Sequence, residues 1–228
     1  MKRVVTPELL DEDLGSPEEI RNSLLDLRGL NQHFGGFSSI ADMLIRVARL
    51  RETRSMSFLD VAGGTGDVAM EVANTIATEG IDIHATVLDR AISHMSRNLD
   101  TNTNMKVAGD ALGLPFQDNS YDVVGCNLFC HHLEPDDMVR FFNDSLRVSR
   151  YAVVVSDLRR TLFHLLAAYA GRLIYRSRIT GHDAPVSVRR AYTISEIISI
   201  ARKSKAARHE VRRYRFQRFG LILWKANS

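Results

Sequence analysis

Apolar residues in the first fifth of the chain fall at helical spacing. Ser16-Pro17-Glu18-Glu19 has the form of a capping box with proline at the first helical position, and Ile20, Leu24, Leu27 and Leu30 then share one face. This helix should stop near Phe34-Gly35-Gly36. A second, over 39–50, follows with Ile40, Leu44, Ile45 and Val47. Both precede any strand and read as an N-terminal helical lid over residues 1–54. From Ser57 the period changes. SFLDVA, HATVLD, MKVAG, YDVVGCNLF and YAVVVSD read as strands, with DVAMEVANTIAT, AISHMSRNL and PDDMVRFFNDSLRVS as the helices between them. Such alternation implies α/β architecture with a doubly wound, mostly parallel sheet across 55–228. After Asp157 the alternation pauses. A helix of about 161–176, a polar loop SRITGHDAPVSVRR and a helix TISEIISIARKSK are expected there, with 158–190 as a substrate-covering insertion. HEVRRYRF and FGLILWKA close the chain as strands. The link between them is too short for a crossover helix, so they form an antiparallel hairpin.

Length and composition support one sizeable core: 228 residues, 45% hydrophobic. The start, MKRVVTPELLDEDLG, turns acidic where the apolar stretch of a secretory signal would follow, and the longest apolar run, TLFHLLAAYAGRLIY, contains His164 and Arg172. A cytoplasmic protein is expected. Cys126 and Cys130 fit neither a disulfide framework nor a paired zinc motif and read as buried thiols, and no metal site is expected. The net charge of +3 conceals a division. Residues 1–158 hold 14 Lys/Arg against 24 Asp/Glu, a balance of −10; residues 159–228 hold 16 against 3, a balance of +13. The basic third either meets an anionic partner or pairs with the acidic body.

Between the first strand and its helix lies Asp60-Val61-Ala62-Gly63-Gly64-Thr65-Gly66-Asp67. Gly64-Thr65-Gly66-Asp67-Val68-Ala69 satisfies the dinucleotide fingerprint, and Asp89 lies at a distance suited to gripping a ribose. Asp60 argues for a different ligand. A carboxylate at the strand's end repels a pyrophosphate and suits a cation, such as the α-ammonium and sulfonium of S-adenosylmethionine (SAM).

The octapeptide resembles motif I of class I SAM-dependent methyltransferases. Val87-Leu88-Asp89, Gly109-Asp110-Ala111 and Leu114-Pro115-Phe116 with Asp118-Asn119-Ser120-Tyr121-Asp122-Val123-Val124 follow in the family's order, so the likeness covers about 58–157. It implies a seven-stranded sheet of order 3-2-1-4-5-7-6 with strand 7 antiparallel. It also implies a cofactor set of Asp60, Ala62, Gly63, Gly64, Thr65 and Gly66 for the methionine part, with Asp89 and Arg90 at the ribose. Asp110, Ala111 and Leu112 would take the adenine, with Asn127 and Leu128 alongside. Motif I and the LPF-x-DNSYDVV stretch are similar to quinone-biosynthesis methyltransferases. Those enzymes usually carry Gly-Leu-Arg-Asn after strand four, where this chain has Phe129-Cys130-His131-His132, and Pro-Gly before strand five, where it has Ser149-Arg150. SDLRR with the later HDAPVSVRRAYT resembles methyltransferases encoded beside type III polyketide synthases, which implies O-methylation of a lipophilic phenol.

Methyl transfer needs positioning and, for a hydroxyl acceptor, a base. His131 and His132 at the end of strand four and His182 in the inserted loop are the candidates. The 161–175 run is apolar nearly all round and edged by Arg159, Arg160, Arg172, Arg176 and Arg178. It suits core packing, a cover for a greasy aromatic acceptor, or a peripheral membrane contact. A small-molecule O-methyltransferase is the leading expectation. The alternatives are a quinone-type C-methyltransferase, an RNA or protein methyltransferase, and a non-catalytic SAM-binding regulator. Nucleic acid is disfavoured, since neither an Asn/Asp-Pro-Pro-aromatic motif nor a Pro-Cys pair is present. The oligomeric state is not legible.

Overall fold

A computed structural model describes residues 1–95 and 105–226. The chain runs α1 (Pro17–His33), α2 (Gly36–Leu50), β1 (Ser55–Val61), α3 (Asp67–Ala77), β2 (Asp82–Asp89), α4 (Ile92–Met95), β3 (Met105–Ala108) and β4 (Tyr121–Asn127). It continues with α5 (Pro135–Val148), β5 (Ser149–Leu158), α6 (Leu162–Gly171), α7 (Arg178–Arg190), α8 (Ile194–Ala201), β6 (Arg208–Tyr214) and β7 (Arg218–Trp224). The rest of the helix expected over 91–99 lies outside the described residues.

The sheet order is β3-β2-β1-β4-β5-β7-β6, parallel from β3 to β5, with β7 antiparallel to both β5 and β6. Alternate residues face opposite layers. Val153 and Val155 pack with Leu59, Phe141 and Ile197 under α5 and α8, while Ala152 and Val154 pack with Phe58, Leu44 and Val72 under α2 and α3. α2, half of the expected N-terminal lid, thus lies in the core, and α1 reaches over the glycine turn. Arg28 on α1 meets Glu71 on α3 at 3.3 Å. The Ser16/Glu19 capping box starts α1 as its sequence implies.

Residues 178–190, expected as a loop, form α7 with Pro185 inside it. Proline has no N–H to give the carbonyl four residues back, and that carbonyl, Gly181 O, instead accepts from Arg172 Nε at 2.6 Å. Asp183 on the same helix accepts from the Leu9 and Leu10 amides at 2.9 and 3.0 Å, tying down the N-terminal segment. The preceding helix is shorter than expected, ending at Gly171.

The basic last third pairs in part with the acidic body. Arg212 bonds Asp42, Arg178 bonds Glu19, and Arg190 lies 3.8 Å from Glu8. No helix among the described residues is long and apolar enough to cross a membrane.

β1 and β4 are neighbours although β2 and β3 intervene in sequence, so the sheet's order reverses between them and a crevice opens at their C-terminal ends. Gly125, opposite Asp60 in register, permits that approach: a Cβ there would lie 2.7 Å from Val154 Cγ2 and 2.8 Å from Phe58 Cε2. Gly125→Ala should therefore cost roughly 1–3 kcal/mol by overpacking, measured as a lower urea midpoint at unchanged slope.

Candidate active site

The glycine turn is built for close approach. Ala62 and Gly64 have positive φ (57° and 53°), and Gly66, at 86°, caps α3. A Cβ on Gly63 would lie 2.8 Å from both Asp60 Oδ2 and Val87 Cγ1. Thr65 Oγ1 donates to Asp67 Oδ2 at 2.7 Å, bracing the first turn of α3. Asp60 is 1% exposed and its Oδ2 has no hydrogen-bond partner among the described residues. Burial, and secondarily the charge of Asp89, pushes its carboxyl up to about 7. The orphaned oxygen faces a turn no bulkier residue could form, which fits a small cation beside Asp60.

Asp89 is held by two amides, Gly64 N to Oδ2 and Ala91 N to Oδ1, both at 2.7 Å. An ionised carboxylate has about four acceptor sites, so each oxygen keeps one for a ribose hydroxyl. Asp110 Oδ1 accepts from Leu112 N at 2.9 Å, and Asp110, Ala111 and Leu112 all border the cavity, as does Arg90. Leu128, at φ 54°, borders it too. Asn127 is fixed by a buried cation. Arg218 Nη1 donates to Asn127 Oδ1 at 3.1 Å and Nη2 to Asn31 Oδ1 at 3.0 Å, while Asn127 Nδ2 donates to the same Asn31 oxygen at 3.0 Å. Burial, opposed by Asp157, lowers the Arg218 guanidinium to about 10.

These residues line one end of a cavity of about 1310 Å³. At its other end the N-terminal segment brings Glu8 and Asp11 against His131, His132 and Arg190. His131 is buried with Nδ1 2.8 Å from Asp157 Oδ1 and Nε2 3.5 Å from Glu8 Oε1. Its amide donates to Asp157 Oδ2 at 2.9 Å. Burial alone would push this imidazole down; Asp157 and then Glu8 overcome it and hold it up at about 10. With both ring nitrogens facing carboxylates, its surroundings favour the protonated imidazole, which has no lone pair left to accept a proton. His132 stays in play, bordering the cavity with Nδ1 2.9 Å from Asp11 Oδ2. His182 does not border the cavity; it sits on α7 rather than a loop, 41% exposed, with Nδ1 on Asp183 at 2.8 Å. Glu8, His131 and His132 offer donor atoms within 4.8 Å of one another, a spacing a metal ion can use, but both nitrogens of His131 already face carboxylates and Arg190 lies 3.8 Å from Glu8.

Glu8, Asp11, Asn31, Arg190 and Arg218 had no motif to announce them. They reach the site from the first and last parts of the chain, where only the fold makes them neighbours.

Residues 58–151 match the family model described as "Methyltransferase domain". This stretch carries the sequence pattern of a methyltransferase domain. Curated relatives agree. The ubiquinone/menaquinone biosynthesis C-methyltransferase UbiE of Methylobacterium nodulans is 32% identical over 127 residues, which is 50% of this chain and 47% of that protein. UbiE of Idiomarina loihiensis is 35% identical over 75 residues, 31% of this chain and 30% of that one. The chain thus matches about half, or less, of the length of these relatives. Among solved structures, the plantazolicin methyltransferase BpumL in complex with a pentazolic desmethylPZN analog and SAH aligns with TM-score 0.70 at 10% identity, covering 96% of this chain and 95% of that one. A SAM-dependent methyltransferase from Aquifex aeolicus aligns with TM-score 0.61 at 14% identity, covering 92% and 98%. At such identities these likenesses establish the fold, a doubly wound seven-stranded sheet that spans almost the whole chain.

Two outcomes follow from the buried charges. A carboxyl whose pKa is raised in the fold costs nothing below its unfolded value near 4, and the cost grows as pH rises through about 7. Asp60→Asn should accordingly raise the melting temperature of the ligand-free protein by ~2 °C or more at pH 8, with little gain at pH 4, while SAM affinity by calorimetry falls at least ~10-fold at pH 8. The His131 imidazolium stabilises fully below about pH 6.5 and loses that contribution as pH rises through about 10. His131→Gln, which leaves Asp157 and Glu8 uncompensated, should lose roughly 3–5 kcal/mol at pH 7 in denaturant unfolding, the deficit shrinking above pH 10.

Proposed function

We propose that this protein transfers the methyl group of SAM to the hydroxyl oxygen of a small lipophilic aromatic acceptor. The observation that carries the reading is His132: tethered through Nδ1 to Asp11, it borders the cavity that the cofactor cradle also lines, beside a neighbouring imidazole locked as a cation.

The cradle suits SAM residue by residue. Asp60 takes the α-ammonium, the turn from Gly63 to Gly66 closes on the methionine part, Asp89 takes the ribose, and Asp110 with Ala111 and Leu112 takes the adenine. Bound there, SAM supplies a methyl on a sulfonium, displaced in line with loss of the neutral thioether. The chain's own residues prepare the nucleophile. The free ring nitrogen of His132 accepts the hydroxyl proton, with Asp11 steadying the resulting imidazolium through Nδ1. The developing oxyanion meets two nearby positive charges, His131 and Arg190, in a site largely shielded from water. The oxygen–carbon bond forms as the carbon–sulfur bond breaks, and the proton on His132 later passes to solvent. α6 and α7 cover the acceptor, lining the cavity with Phe163, Ala167, Ala168, Ala184 and Val188.

The UbiE relatives favour a second reading, methyl transfer to a ring carbon of a quinol. Deprotonation of the ring hydroxyl activates the neighbouring carbon, so the same base serves both outcomes. Incubation with SAM and a panel of alkylphenols, quinols and aromatic acids, followed by mass spectrometry and NMR of the product, tests the proposal. An O-methyl ether supports it, a C-methyl product supports the alternative, and SAM binding without turnover on any acceptor makes the protein a regulator. In the same assay His132→Ala should lower kcat at least ~100-fold, the lower range of general-base contributions, and His182→Ala should stay within ~3-fold because that imidazole does not border the cavity.

A further inference from the structure

One side of the cavity's mouth is apolar, whereas Asp11, Asp13, Arg90 and Asp110 are exposed elsewhere on its lining. Phe34, Phe163, Ile174 and Phe216 line the cavity and are also 41%, 70%, 77% and 49% exposed, so they form its rim. Phe34 and Phe216 meet edge to face at 5.2 Å across part of it. Beside the rim, Leu162 and Leu166, one turn apart on α6, are 64% and 60% exposed, and Leu173 is 90% exposed. None of these three borders the cavity. Solvent-exposed apolar side chains this closely grouped on one edge mark an interaction surface.

The charge around the rim indicates the partner. From Arg159 to His182 the chain has no acidic residue. Arg172 stacks over Tyr169 at 4.9 Å and Arg215 over Phe216 at 5.7 Å, and Arg176 is exposed beside Ile174. Among the described residues none of these three guanidinium groups forms an ion pair, although the Arg176 amide donates to Asp26 at 2.9 Å. Apolar side chains edged by unpaired cations are the composition of a surface that lies on anionic lipid, the apolar groups entering the acyl boundary and the arginines remaining at the headgroups. A second copy of this chain would bring the same cations face to face.

We propose that this rim docks on an anionic bilayer, with the acceptor's ring at the His132 end of the cavity and its apolar tail running out through the rim into the lipid. The acceptor's placement rests on the function proposed above; the docking surface does not. Such a route would let a lipophilic acceptor reach the site without crossing water.

The test is co-sedimentation of the full chain, without SAM or acceptor, with vesicles of phosphatidylcholine alone or mixed with phosphatidylglycerol. Binding should be at least ~10-fold greater on the anionic vesicles and fall as salt rises. The triple variant Leu162→Ser, Leu166→Ser, Leu173→Ser should lose at least ~10-fold of that binding while keeping its melting temperature and its turnover of a short-chain, water-soluble acceptor. Arg172→Gln, Arg176→Gln, Arg215→Gln should remove the preference for anionic lipid. Absence of sedimentation, undiminished binding by the leucine variant, or a solution dimer that the leucine variant dissociates would overturn the proposal. Because binding is measured without substrates, vesicle binding with no turnover would reject the acceptor assignment and leave the docking surface standing.

Discussion

Charge buried along the sheet edge where the central parallel strands end and β7 begins is the constraint on which the rest of this molecule depends. Asp60 on β1, Asp157 on β5 and Arg218 on β7 are each at most 2% exposed. A buried charge is tolerated only when it is paired, hydrogen-bonded or neutralised, and the three meet that demand in different ways. Asp157 has an imidazolium and two amides. Arg218 has no carboxylate within bonding distance and is carried by neutral oxygens, those of Asn127, Asn31 and Phe34. Asp60 has no partner for one oxygen and is held near neutrality by its surroundings. The first two arrangements make a rigid floor, and the third leaves an electrostatic demand that a cationic cofactor meets.

The same constraint explains the course of the N-terminal segment. Glu8 reaches His131 and Ser187, Asp11 reaches His132, and Arg3 bonds Glu134 and the His131 and Leu133 carbonyls. With Leu9 and Leu10 bound to Asp183, the first fifteen residues form a strap across the His131/His132 end of the cavity. They complete a charge cluster that β4 and β5 begin. Removing the strap would leave the imidazolium with one carboxylate and open the polar end to water, so fold stability and acceptor environment are coupled through the same few contacts.

Stability and function diverge at the rim. Apolar residues of α6 and the segment after it remain exposed, although a protein optimised for water would bury or replace them. The cavity has polar, charge-fixed walls at the His131/His132 end and an apolar stretch along its rim, an asymmetry suited to a molecule that is itself polar at one end.

The sequence by itself determined the fold class, the strand order through its family resemblance, and the glycine turn between β1 and α3, because these rest on local signals. The period-2 runs, the glycines that must bend, and the carboxylates at or near each strand end all sit where neighbours along the chain make them meaningful. Tertiary structure alone decided the acceptor end. SRITGHDAPVSVRR contains Gly181 and Pro185 and locally favours a loop. It is helical because Arg172 satisfies the carbonyl that Pro185 abandons and because Asp183 is needed to bind the strap. His131, His132 and His182 were indistinguishable as letters. What separates them is which carboxylate each one meets and whether its ring borders the cavity: Asp157, 26 residues on, and Glu8 for His131, Asp11 for His132, and the adjacent Asp183 for the outward-facing His182. Contacts across more than a hundred residues leave no periodic trace in a sequence, so only folding could assign them.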